Sequence, residues 1–314
     1  MRSAKTFSRR NFFRTLSVAA PFIYSRLTGR AGQSAQKALR LGGPVFLKSD
    51  DPADLAREHR RLGYSAAYCP RATATDTDRV RAIEKAFAAQ NVVIAEVGAW
   101  RNMLDSDTEK RRANLNYVVE RLALADEVGA RNCVNIAGSY NPRQWDGPDP
   151  RNLSREYLEA TVENCRKVID AVKPRRTKFT IEMMGWSLPN SPDSYLRLLK
   201  AVDRTAFGVH VDVCNIVQSP QDFYRNTELI EEVFRKLGRW VCSCHAKDLE
   251  GRAVHFAETV PGRGGVDYRA YLRRVTALPQ SPPLMLEHLS TPEEYEEGKL
   301  YIIEVAAELR IPLA

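Results

Sequence analysis

The sequence lacks most of the motifs that would assign it quickly to a chemistry. There is no GxGxxG after a first strand, which argues against an open dinucleotide-binding sheet. The one Gly-rich stretch, Pro261-Gly262-Arg263-Gly264-Gly265, lacks the GK[ST] ending of a phosphate loop. The six cysteines contain no CxxC pair and sit mostly in apolar runs, so they read as small core residues rather than as bridges or a zinc knuckle. Histidine is scarce, with five in the chain, too few for a site that gathers several imidazole-bound metals. Residues 1–31 hold seven basic side chains and no acid. Without them the formal charge of +8 falls to +1, so the remaining chain has no basic excess with which to grip nucleic acid.

That acid-free start has its own pattern. Ser8-Arg9-Arg10-Asn11-Phe12-Phe13 precedes an apolar stretch from Leu16 to Tyr24 that is too short to span a bilayer. It reads as a twin-arginine export signal with a short linker over residues 1–35, followed by one folded domain over 36–314. The expected destination is the periplasm, or another exported location reached through the twin-arginine translocon. No later apolar run has membrane length, so no stable membrane anchor is expected. A basic amphipathic helix is the alternative for the same residues.

Beyond residue 40, short apolar runs alternate with longer stretches of helical period. The runs lie near residues 43–47, 65–69, 92–97, 132–137, 178–183, 207–212, 240–245 and 283–287. They are rich in β-branched residues and carry little alternation, as strands covered on both faces do. Between them Leu115, Val118, Val119, Leu122 and Ala125 form one helical stripe, and Leu158, Val162, Cys165, Ile169 and Val172 another. Ser191-Pro192-Asp193 and Thr291-Pro292-Glu293 predict helix starts: a capping oxygen, a proline in the first turn, then an acid at the positive end of the dipole. Eight βα units predict a closed (β/α)8 barrel.

Barrels of this kind place their chemistry at the C-terminal strand ends, and four apolar runs close on a polar residue: Glu182, Asp212, His245 and Glu287. Strands five to eight are consecutive, so these side chains should converge on one side of the mouth. Three buried carboxylates together require a compensating positive charge, and a divalent cation supplies it. Mn²⁺ or Mg²⁺ suits such an oxygen-rich set, while Zn²⁺ and Co²⁺ are also able to bind. Each residue alone could equally be a strand-end group bonded to a loop amide.

The residues around these four resemble those of the xylose isomerase-like sugar phosphate isomerase and epimerase barrels. The resemblance rests on Ile181-Glu182, Val209-His210-Val211-Asp212, Cys244-His245-Ala246-Lys247-Asp248, Pro261-Gly262-Arg263-Gly264, Val266-Asp267-Tyr268 and Leu286-Glu287, and spans about residues 40–310. It implies Glu182, Asp212, His245 and Glu287 as ligands of one divalent metal ion, with Glu182 and Glu287 also acting as the acid and base on opposite faces of a sugar. One position departs from the family pattern: Asn215 stands where the epimerases usually carry histidine, and an amide can bond a hydroxyl but not carry a proton.

Strand alternation puts His210 on the side of Asp212 and Lys247 on the side of His245. Lys247 is expected to assist proton transfer or stabilise an oxyanion, unless it pairs with Asp248 or Glu250. His210 is expected to touch substrate or to brace a ligand. Trp186 and Trp100 could wall the sugar or simply pack, and Arg263 could meet substrate or water. His288 should alternate away from the site. The expected reaction is metal-dependent isomerisation or epimerisation of a small sugar or keto-sugar, by proton abstraction next to a carbonyl. The alternatives are an exported lyase or dehydratase acting on keto-sugars or 3-keto-glycosides, and a sugar-binding barrel without turnover. The outer helices could also pair two copies into a homo-oligomer.

Overall fold

The computed structural model describes residues 37–252 and 255–314, and the twin-arginine pattern of residues 1–35 lies outside them. The described strands and α-helices run in the order β1 (Leu41–Gly42), α1 (Pro52–Arg61), β2 (Ala66–Tyr68), α2 (Thr77–Ala89), β3 (Val93–Gly98), α3 (Thr108–Val128), β4 (Asn132–Asn135), α4 (Arg155–Val172), β5 (Lys178–Glu182), α5 (Pro192–Val202), β6 (Phe207–Asp212), α6 (Pro220–Tyr224), α7 (Asn226–Leu237), β7 (Val241–Ala246), β8 (Asp248–Arg252), β9 (His255–Thr259), α8 (Tyr268–Thr276), β10 (Leu284–Leu286) and α9 (Pro292–Glu308). Eight of these strands close a parallel barrel in the order β1-β10-β7-β6-β5-β4-β3-β2. Among the described residues the barrel forms a single domain, as the βα alternation predicts.

Local chemistry explains the element ends. Ser191 caps α5 by accepting from Ser194 N while the Ser194 hydroxyl accepts from Ser191 N, and Pro192 opens the helix. Thr291 and Pro292 start α9 in a similar way, with Glu293 and Glu294 in its first turn. Gly129 ends α3 at φ +67°, the left-handed position that glycine tolerates without strain. Apolar residues of the strands and helices merge into one continuous core between sheet and helix layer. A second, small cluster of Ala66, Ala95 and Met285 fills the inner side of the strands.

Two elements differ from the sequence expectation. The first strand is Leu41–Gly42 rather than 43–47, because Pro44 cannot donate to a ladder, and Phe46 and Leu47 lie exposed beyond it. Between β7 and α8 the chain inserts an antiparallel hairpin, β8 and β9, that pairs with no barrel strand. All six cysteines are free. No helix among the described residues is long and apolar enough to cross a membrane.

Candidate metal centre

Barrel register brings the four strand-end residues together. Asp212 on β6 is the ladder partner of His245 on β7, and Glu182 on β5 is the partner of His210 on β6. Met285 of β10 pairs with His245, so Glu287, two residues on, rises beside Lys247. One ligand atom from each of Glu182, Asp212, His245 and Glu287 lies within 4.8 Å of the other three. From His245 Nδ1 the distances are 2.9 Å to Glu287 Oε2, 3.7 Å to Glu182 Oε1 and 3.7 Å to Asp212 Oδ2.

Two buried atoms of this group, Asp212 Oδ2 and His245 Nδ1, have no hydrogen-bond partner. Both face the centre of the cluster, where a divalent cation would satisfy them together. The four donors are thus fit to hold one divalent metal ion, three carboxylates and one imidazole around a common point. Asp212 is oriented for this by Cys214 N, which donates to its other oxygen at 2.9 Å. Glu182 is oriented by Asn215, whose Nδ2 donates to Oε1 at 2.7 Å.

The imidazole is oriented by a residue that sequence reasoning missed. Glu96, wholly buried in the middle of β3, reaches His245 Nε2 with Oε2 at 3.1 Å and His210 Nε2 with Oε1 at 3.2 Å. An ionised carboxylate only accepts, so both Nε2 atoms carry hydrogen and His245 Nδ1 is the nitrogen turned toward the acids. The signal was an acid inside an otherwise apolar strand run, whereas attention fell on residues that close such runs. His210 accordingly braces Glu96 from a fully buried position.

Lys247 is buried to 1% exposure, and its Nζ lies 2.7 Å from both Asp212 Oδ2 and Glu287 Oε2. Lys247 is therefore the ion-pair partner of the Asp212 oxygen that faces the cluster. Outside the cluster its ion partner is Glu258 of the hairpin, at 3.6 Å. His288 corrects the expectation drawn from alternation. Its backbone turns into the left-handed region at φ +57°, which ends the strand geometry, and its Nδ1 meets Lys247 Nζ at 3.1 Å and Glu258 Oε2 at 2.9 Å.

Mutual electrostatics hold these groups charged against burial. Burial opposes ionisation of Glu287, but His245 and then Lys247 outweigh it and bring the carboxyl down to about 2. Burial likewise opposes the charge of Asp212, yet Lys247 and His245 hold it well below the usual carboxylate range. His245 would lose its proton on burial alone; Glu96, then Glu287 and Glu182, push it well above its ordinary value. Lys247, disfavoured by burial, is raised by Asp212 and Glu287. Without a metal, therefore, a proton and an ammonium group fill the role of counter-charge.

The remaining expected residues fall into two groups. Trp100 stands at the mouth, its ring 6.4 Å from that of His245 and packed over Gly98, where an added Cβ would collide with the indole nitrogen. Trp186 is 66% exposed in the turn after β5, open to a ligand from the solvent side. Arg263 points away, bound through Nε to Glu297 Oε1 of α9 at 2.7 Å. Its loop is organised around Asp248, which accepts from Leu249 N, Gly262 N, Gly264 N and Val266 N at 2.8–3.2 Å. A Cβ on Gly264 would collide with Asp248 Oδ1, so the glycine-rich loop wraps an internal carboxylate rather than a phosphate.

Comparison with known proteins gives this geometry its relatives. Residues 56–305 match the family described as Xylose isomerase-like TIM barrel. No curated protein sequence matches the chain. Among solved structures it is similar to a xylose isomerase-like TIM barrel protein from Mycobacterium smegmatis in complex with magnesium, with 18% identity, 82% of this chain and 88% of that one covered, and a TM-score of 0.59. It is similar to 3-keto-D-glucoside 4-epimerase from E. coli, with 13% identity, 85% and 99% covered, and a TM-score of 0.59. It is also similar to endonuclease IV from Thermus thermophilus, with 18% identity, 86% and 99% covered, and a TM-score of 0.63. At these identities the likeness shows a fold that a sugar epimerase and an endonuclease share.

Proposed function

The chain belongs to the xylose isomerase-like TIM barrel family, and from that premise we propose that it is a metal-dependent carbohydrate isomerase or epimerase working by proton abstraction next to a carbonyl. One observation carries the reading: Glu182 and Glu287 stand on either side of Asp212 and His245 at the barrel mouth, each with an oxygen inside the four-residue cluster. Two carboxylates flanking one bound sugar carbon allow one to take a proton and the other to return it on the opposite face. The shared fold does not choose between sugar and nucleic acid chemistry, so the choice rests on these acids.

Glu182, Asp212, His245 and Glu287 would hold the divalent ion, Mn²⁺ or Mg²⁺ by the hardness of the set. The chemistry such an ion would supply is Lewis-acid polarisation of a carbonyl, which would make the neighbouring C–H more acidic for Glu182 or Glu287. Asn215 keeps Glu182 aimed at the cluster by donating to Oε1, a role that needs no proton exchange. Lys247, at the edge of the cluster between Glu287 and Glu258, would keep a positive charge near a carbonyl oxygen or departing hydroxyl that gains negative charge. That ammonium also favours a second reading, a lyase or dehydratase in which a β-substituent leaves after the same proton abstraction. Trp100 and Trp186 would wall the sugar. The Arg9-Arg10 pattern supports an exported enzyme that meets unphosphorylated sugars or keto-sugars.

Proton exchange tests the proposal. The purified protein, given Mn²⁺ in D₂O, should drive deuterium into the carbon beside the carbonyl of a keto-sugar or 3-keto-glycoside, and EDTA should stop it. The product then separates epimer, isomer and eliminated sugar. Absence of exchange across such a panel, with metal demonstrably bound, would leave a sugar-binding barrel without turnover.

A further inference from the structure

Lys247 occupies an unusual place for a side chain beside a metal centre. Its ammonium contacts Asp212 Oδ2 and Glu287 Oε2, the same oxygens that face His245 Nδ1. Its backbone cannot shift to relieve this. The carbonyl of Lys247 accepts from Tyr268 Oη at 2.9 Å and from Cys214 Sγ at 3.2 Å, and Asp248 behind it is locked by four backbone N–H groups. Only the side chain can move, and a further acceptor lies beside it. Glu258 Oε1 on β9 is 3.6 Å from Nζ. Glu258 is 39% exposed in its side chain and outside the four-residue cluster.

Resting on the metal-site reading above, we infer that Lys247 is an internal rival of the divalent ion, holding the carboxylates of Asp212 and Glu287 while the site is empty and withdrawing to Glu258 of the β8–β9 hairpin when metal binds. A buried acid cluster left without any cation would repel itself and take up protons. The lysine prevents that, at the cost of weaker metal binding, because a cation entering the cluster displaces an existing positive charge. The hairpin supplies the place to which that charge retreats. Lys247 is then both a stabiliser of the empty barrel and a governor of metal affinity.

The inference makes two predictions of opposite sign. On metal-stripped protein titrated calorimetrically with MnCl₂, Lys247→Met should bind Mn²⁺ at least tenfold more tightly than the parent. Glu258→Gln, which removes the retreat, should bind it severalfold more weakly. In EDTA, Lys247→Met should melt below the parent, and the gap should close in saturating Mn²⁺. Unchanged or weaker Mn²⁺ binding by Lys247→Met overturns the inference, since the lysine would then support the metal rather than compete with it. If that variant cannot be isolated without metal, Glu258→Gln decides: weakened Mn²⁺ binding supports the retreat and parental affinity overturns it. If the parent itself binds no Mn²⁺, the metal-site reading falls and this inference with it, whereas binding that ignores both substitutions removes the inference alone.

Discussion

At the N-terminal ends of the strands a cavity of about 800 Å³ is lined by Arg131, Arg176, Lys178, Arg239, Glu84 and Trp240, among others. At the C-terminal ends the space is filled by Glu96, Glu182, Asp212 and Glu287 around His245, His210 and Lys247. Most charged groups of the open cavity are occupied locally. Arg176 pairs with Glu84, Lys178 donates to Thr205 O, and the Arg239 guanidinium lies 3.8 Å over the Trp240 ring. The mouth is the reverse: its buried acids, imidazole and ammonium aim at one point and meet one another there. Convergence of ligating groups on one point marks the candidate site, as barrels of this type would place it, whereas the basic groups of the hollow engage their own neighbours.

Mutations can break this contrast or sharpen it. The largest effect should follow from the mouth: Glu182→Gln keeps the shape but removes the base, and proton exchange should fall by roughly 10² to 10⁴-fold. Arg176→Ala at the other end should leave exchange within about twofold. Equal losses from both changes, measured as deuterium incorporation under saturating Mn²⁺, would erase the distinction between the ends.

A smaller effect separates positioning from ligation within the mouth. Glu96→Gln removes the carboxylate that fixes the His245 tautomer, without touching the cluster. Mn²⁺ affinity should drop by about 10 to 100-fold, with the pH at which metal binds moving as well, because the imidazole is no longer held in one form. Calorimetric titrations at several pH values check this; a change confined to melting temperature would make Glu96 purely structural.

The smallest effect belongs to the opposite end. His59 of α1 packs its ring 5.5 Å from Phe87, and burial lowers its imidazole below 6.5 despite the bond from Nδ1 to Leu55 O. A buried base that prefers to be neutral contributes stability fully above the unfolded value and loses it as pH falls through the lowered one. Relative to His59→Phe, the parent should therefore lose on the order of 1 kcal/mol between about pH 7.5 and 5. Melting curves of the two proteins across that range measure it, and parallel curves would show that the ring is not desolvated.

The barrel was legible in the sequence because its strands are buried on both faces and so stand out as short apolar runs between amphipathic helices. The hairpin β8–β9 was not, since Asp248–Arg252 and His255–Thr259 are polar-rich and pair only with each other. The strand-end positions of Glu182, Asp212, His245 and Glu287 were legible for the same reason as the strands: each closes an apolar run. Glu96 escaped because it lies within a run, and only the register across the barrel shows that its carboxylate meets two imidazoles. His288 escaped because alternation assumes an extended backbone, and the chain leaves that geometry at this very residue. Asn215 reads in the sequence as a lost proton carrier, while the structure gives it a bond to Glu182.

The wrapping of Asp248 by the Gly262–Val266 loop has a consequence for engineering. The strand tip bearing His245 and Lys247 and the loop that follows the hairpin are clasped into one mechanical unit, with Gly264 pressed so close to Asp248 that neither can be altered independently. A graft of this centre into another barrel would have to move both segments as a single cassette, together with the intervening hairpin that carries Glu258.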